Sequence, residues 1–297
     1  MPLDDKGLEQ KLDSIINKFN LENLMSKRKM QLGFPSDQLT FIGIADVASY
    51  WYCAQKSFFK QLDMEKYFFG AYLSDRIIYS IKLGYINDIP QKEEELLKIG
   101  DEITFNDIEK LLKERSNSKE LSIRKGLRIN VVTDDHVDKD ELMDLAKNLA
   151  ESFGESIDNP LNFGKYAESI IAEPYPTIRW NFPYKDFILV GVPDGITDRF
   201  VYEFKTSNNL QNILRIAEAQ ADIYGYFFSR DTKRVQIYLK RERKIVTKET
   251  PVNRNNAEIT LEKATSVYNG GKPIPPAPYK CNNCEYKDKC PVYKATL

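Results

Sequence analysis

Apolar residues recur at helical spacing through residues 6–30, where Leu8, Leu12, Ile15, Ile16 and Phe19 predict a first helix. A second helical stretch, about 43–83, carries Cys53 and a dense set of aromatics. Between about 86 and 158 the chain changes character. Glu93-Glu94-Glu95, the polar run Ser116 to Lys119 and Asp134-Asp135 surround amphipathic pieces, and the segment reads as a mostly helical insertion. Within it, Leu127-Arg128-Ile129-Asn130-Val131-Val132 alternates like a short strand.

From Pro160 the order becomes regular. A helix through Ile171 precedes two strands, Ile178–Phe182 and Phe187–Gly191, separated by the turn Pro183-Tyr184-Lys185-Asp186. Arg199–Lys205 reads as a third strand, followed by a helix at about 209–229, a hairpin of Val235–Leu239 with Lys244–Thr247, and a helix at about 254–268. The loop Gly270-Gly271-Lys272-Pro273-Ile274-Pro275-Pro276 cannot be helical and delivers the chain to Cys281. The expected domains are an N-terminal helical region (1–85), the insertion (86–158), an α/β core (159–270) and a cysteine-bearing C-terminal segment (271–297).

Composition narrows the field only slightly. The chain has 297 residues, 42% of them hydrophobic, enough for one large core with an inserted subdomain. It has no run of about 18 apolar residues and no apolar leader near Met1, so a cytoplasmic protein without a membrane span is expected. The 43 basic and 44 acidic residues nearly cancel, so net charge does not argue for nucleic acid. Lys27-Arg28-Lys29 and Lys240-Arg241-Glu242-Arg243-Lys244 are basic clusters that read as solvated faces or turns.

The sharpest chemistry is acidic. Gly191-Val192-Pro193-Asp194-Gly195 is followed by Glu203-Phe204-Lys205 on the third strand. Residues two apart on a strand share a face, so Glu203 and Lys205 point together while Phe204 packs the other way. A hairpin brings Asp194 beside Glu203. Two carboxylates and a lysine then share a pocket suited to Mg²⁺ or Mn²⁺, hard ions that take phosphate oxygens, with the lysine free to orient water or offset phosphate charge. Gln220 and Tyr224 lie four apart on the following helix, and Glu168 sits on the preceding one.

All four cysteines fall outside this core. Cys53 stands alone, while Cys281, Cys284 and Cys290 form a C-x2-C-x5-C run. In a reducing compartment such a set points to metal before disulfides, as a four-iron cluster or a zinc site. The spacing does not suit the paired ligands of the usual zinc ribbon.

Asp194, Glu203-Phe204-Lys205 and Gln220-x-x-x-Tyr224, in that order, resemble motifs II, III and IV of the RecB-type branch of the PD-(D/E)XK nuclease superfamily. One cysteine before the core and three after it resemble the iron–sulfur subgroup, which includes the CRISPR-associated adaptation exonucleases, and Tyr52-Cys53-Ala54-Gln55-Lys56 is similar to the cysteine context found there. The resemblance spans residues 40–85 and 160–292. It implies a RecB-like α/β core, a central mixed sheet flanked by helices, with a helical insertion and a 4Fe-4S clasp held by Cys53, Cys281, Cys284 and Cys290. It also implies Mg²⁺ or Mn²⁺ ligation by Asp194, Glu203 and the Phe204 carbonyl, Lys205 as catalytic lysine, and Gln220 and Tyr224 contacting DNA or ordering the site.

The family's first motif is usually a histidine in a G-x-x-x-H context, and here the chain departs from it. Its sole histidine, His136, falls in the insertion and reads as a surface residue; the G-x-x-x slot is offered by Gly164 to Glu168 and by Gly70 to Ser74. Glu168 is the preferred third carboxylate, as the wider superfamily uses glutamate there, with Glu173 behind it. The implied activity is metal-dependent exonucleolytic hydrolysis of DNA, preferring single strands or frayed ends, 5′-to-3′, in CRISPR spacer acquisition beside other adaptation proteins. A non-catalytic DNA-end-binding subunit and a recombination or repair nuclease unrelated to CRISPR are the competing expectations.

Overall fold

The computed structural model describes residue 12 and residues 19–282 and 284–294. Much of the expected 6–30 helix therefore lies outside the described residues. What is described begins with α1 (Leu21–Gln31), started by Asn20, whose side-chain oxygen accepts the backbone N–H groups of Glu22 and Asn23 at 3.0 and 3.1 Å. The chain then forms β1 (Phe41–Gly43), α2 (Ile44–Ala48), a 3₁₀ turn (Ser49–Trp51) and α3 (Ala54–Lys82). The single helix expected over 43–83 is thus interrupted. Cys53 is extended (φ −162°) and caps α3, its Sγ accepting from Lys56 N.

Next come α4 (Glu93–Leu96), α5 (Phe105–Arg115), α6 (Lys119–Val131), β2 (Val132–Thr133), β3 (His136–Val137), α7 (Lys139–Ser152) and α8 (Pro160–Ile171). The strand expected at 127–132 is a correction: all but its last residue is helical. Ser118 caps α6, and Leu127 and Val131, four apart, both reach the apolar core, so the helical period prevails over a short alternation. The remaining elements follow the expected order: β4 (Trp180–Tyr184), β5 (Phe187–Gly191), β6 (Gly195–Ile196), β7 (Phe200–Ser207), α9 (Leu210–Phe227), β8 (Thr232–Leu239), β9 (Lys244–Pro251), α10 (Arg254–Tyr268) and α11 (Pro291–Lys294).

The protein is mixed α/β and divides into two compact units. One comprises residues 1–110, 179–192 and 260–297; the other comprises 111–178 and 193–259. The strands expected to line one core sheet are shared between them. In the first unit β5 pairs parallel with β1 and antiparallel with β4. Its core joins Leu24, Phe41, Phe69, Tyr72, Ile77 and Ile188. Lys29, expected on a solvated face, is only 2% exposed there. Its ammonium is held by Glu65 (2.9 Å) and the Gln38 carbonyl (2.7 Å), and the neighbouring Arg28 is buried against Tyr72 and the Leu97 carbonyl.

The second unit holds a six-stranded sheet in the order β2-β3-β9-β8-β7-β6. β7 and β8 are parallel, so the chain between them must cross over, and α9 makes that crossover. Phe200, Tyr202 and Phe204 alternate into a core with Leu142, Ala146, Tyr166 and Ile170 of α7 and α8. Part of the segment expected as a separate insertion, α6 and α7, therefore packs in the same unit as the sheet that carries Glu203, beside the expected core helix α8. Among the described residues no helix is long and apolar enough to cross a membrane.

Candidate functional site

Strand register builds the acidic site. β6 pairs antiparallel with β7, Gly195 opposite Tyr202 and Ile196 opposite Val201. Extending that register by one residue sets Asp194 opposite Glu203. Asp194 Oδ2 accepts the Phe204 N–H at 2.7 Å, pinning the carboxylate to β7. Gly195 has to be glycine here: a Cβ would sit 2.5 Å from Tyr175 Cβ. Gly195→Ala is expected to push β6 off β7 and cost about 1–3 kcal/mol, seen as a lower denaturation midpoint.

Glu203 is 0% exposed. Lys205 Nζ lies against its Oε1 as an ion pair, while Oε2 receives no hydrogen bond among the described residues. Burial, and then the charge of Asp194, push the Glu203 carboxyl up to about 8 despite Lys205. Burial likewise raises the Asp194 and Glu168 carboxyls above their ordinary values, and the charge of Asp194 raises Glu168 further. The lysine is the counterpart: opposite charges on Glu203, Asp194 and Glu168 outweigh its own burial and hold it protonated. Glu168, Asp194, Glu203 and Lys205 thus form one electrostatic cluster within the second unit.

Other expected members fare differently. Gln220 and Tyr224 are buried inside α9, 4% and 2% exposed. His136 is exposed on β3, and the Gly70–Ser74 slot lies in α3 of the first unit. Glu173 is fully engaged elsewhere. Arg234 grips it with two hydrogen bonds (2.8 and 2.7 Å) and Gln236 donates a third at 2.7 Å. Burial alone would raise Glu173, but Arg234 and Tyr175 outweigh it and hold the group below its ordinary value. Two cations that the sequence did not tie to the acidic site bear on the cluster. Arg124 of α6 acts on Asp194, and Lys240, in the exposed β8–β9 turn, acts on Glu168. A basic residue in an amphipathic helix, and one in a basic cluster that reads as a solvated turn, carry no local signal of that role.

In the first unit, Cys53, Cys281, Cys284 and Cys290 line one pocket. Cys281 ends the 3₁₀ turn Pro278–Cys281, and Cys284 N donates back to its carbonyl at 3.2 Å. Lys280 Nζ donates to the Tyr52 carbonyl at 3.0 Å and sits 4.6 Å over the Tyr52 ring, while Tyr286 packs on Phe59 at 5.4 Å. These contacts dock the C-terminal cysteines on the first turns of α3. All four thiols are free, and burial, with the charges of Cys284 and Cys290, pushes the Cys53 thiol up.

Both donor sets suit the groups their chemistry implies. The acidic set is all hard oxygen, with Glu203 Oε2 lacking a donor; the other is all sulfur. Among the described residues no three His, Cys, Asp or Glu side chains stand as a group that could hold a metal ion, so the fit is one of donor type and not of geometry.

No protein-family model matches the chain, and no curated protein matches it. Among solved structures it is similar to one described as "Crystal structure of SSO0001", at 13% identity and a TM-score of 0.36, covering 92% of this chain and 96% of that one.

Proposed function

We propose that this protein is a divalent-metal-dependent deoxyribonuclease of the RecB-like type, exonucleolytic on single strands or frayed ends. The observation that carries the reading is the buried cluster itself: Glu203, wholly buried and ion-paired with Lys205, lies within electrostatic reach of Asp194 and Glu168, so that one lysine faces three carboxyls. Three carboxyls around a single lysine leave negative charge that a further cation would offset. Asp194, Glu203, Glu168 and the Phe204 carbonyl would hold Mg²⁺ or Mn²⁺. When bound, such an ion supplies charge for the phosphate and acidifies a water.

The chain's own residues have separable roles. Lys205, kept protonated by the three carboxylates, offsets charge on the phosphate and orients the attacking water. The hydrogen bond from Phe204 N holds Asp194 in place, so little reorganisation remains at the moment of reaction. Hydrolysis forms one P–O bond from water and breaks one to the leaving oxygen, which takes up a proton. Cys53, Cys281, Cys284 and Cys290 would hold a 4Fe-4S cluster, tying the C-terminal segment to α3. Polarity 5′-to-3′ and a place in CRISPR spacer acquisition follow from the sequence resemblance.

The test uses end-labelled single- and double-stranded DNA with Mg²⁺, Mn²⁺ or EDTA. Wild type is expected to shorten single strands only with metal, and Asp194→Ala to lose about 10²-fold or more. Glu168→Ala at full activity would remove only the third carboxylate. Metal-dependent cleavage absent from wild type would sink the enzyme reading in favour of a DNA-end-binding subunit.

A further inference from the structure

Beside the acidic site, α6, α7 and α8 leave an open groove of about 1210 Å³, its mouth included. Its walls carry Ile123, Phe153 and Tyr166 together with Lys119, Arg124 and Lys165. Phe153 is 65% exposed and Ile123 55% exposed, an unusual placement for side chains of that size. Phe153 stacks on Tyr166, ring centroids 6.1 Å apart and planes 20° from parallel, and Lys165 Nζ stands 4.8 Å over the Tyr166 ring. The stack therefore ends in an aromatic face open to solvent.

Charge decides what that face can receive. Three basic side chains line the groove against one carboxylate, Glu120, although Lys165 also meets Glu155 at 3.3 Å. Arg124 links groove and site: its Nε donates to the Ser169 carbonyl at 3.2 Å while its charge acts on Asp194. Lys165 and Ser169, on the groove, flank Glu168 on the same turns of α8. An apolar small molecule would meet the rings alone; a strand of nucleic acid offers bases to the rings and phosphates to the charges.

We infer that this groove is a nucleobase-stacking subsite, seating a base of a single strand on Phe153 while Lys119 and Arg124 meet the phosphates that lead to the acidic site. The inference rests on the nuclease reading for the strand's destination, but its test does not need cleavage. A labelled oligothymidylate and an abasic strand of equal length are titrated against the protein in EDTA, with anisotropy as the readout. Wild type is expected to prefer the base-bearing strand by about tenfold. Phe153→Ala should erase that preference and Phe153→Trp restore it, with melting temperatures confirming that both variants fold. Equal binding of the two strands by wild type, an unchanged preference in Phe153→Ala, or self-association that Phe153→Ala abolishes would overturn the subsite. A Phe153-dependent preference in a protein that never cleaves would retain the groove and remove the nuclease reading, whereas cleavage with no such preference would do the reverse.

Discussion

Glu203→Gln is expected to abolish metal-dependent cleavage while making the metal-free protein's stability less sensitive to pH. The buried carboxyl is raised from an ordinary 4.5 to about 8, so between those values the folded state holds a proton that the unfolded state has released. The folded protein binding more protons means that stability falls as pH rises. The contribution is fully present below about 4.5 and is lost as pH passes through about 8. Melting temperatures of metal-free wild type, measured across that window, should decline steadily, and those of the variant should decline less. Adding Mn²⁺ near pH 8 should raise the wild-type melting temperature and leave the variant unmoved, because only wild type offers a carboxylate to the ion. Cleavage by the variant should drop by about 10²- to 10³-fold. Equal pH slopes in the two proteins would mean that Lys205 alone neutralises Glu203, and the case for a metal there would lose its main support.

The second large effect belongs to the cysteine pocket. Anaerobically purified protein is expected to be brown with broad visible absorbance, and Cys281→Ala to be colourless. The variant should also melt lower, by several kcal/mol and on the order of ten degrees, because a structural metal group contributes folding free energy outright. The loss should register first in the first unit, where Lys280 and Tyr286 hold the C-terminal segment against Tyr52 and Phe59. Protease cutting near residues 270–280, faster in the variant, would report that release. A colourless wild type carrying stoichiometric zinc would replace the cluster and leave the acidic site's reading intact.

Several features were legible because their cause is local. The alternation in Glu203-Phe204-Lys205 already separates a polar pair from a core aromatic, and β7 places them so. Helix α10 was readable at its observed limits, and α8 from its first residue to Ile171. Other features had no local cause. Lys29 reads as a surface charge until Glu65 and the Gln38 carbonyl close around it. Leu127 to Val132 alternates over too few residues to choose a period, and contact with the α7–α8 core chose the helix. Glu173 looked like a spare ligand on composition alone, and Arg234, distant in sequence, removed it from that role.

The chemistry of the two donor sets was determined by the sequence itself: hard oxygens in one, sulfurs in the other, with Lys205 two residues from Glu203. Residue type and strand period are enough for that, since both act over a few bonds. Tertiary structure alone decided which strands share a sheet. It separated the β4–β5 hairpin from β7, set Asp194 across from Glu203 through the short β6 pairing, and brought Arg124 and the Phe153 groove to the same unit. Those choices depend on which apolar faces bury one another across long stretches of chain, and burial of that kind leaves no mark on any single segment.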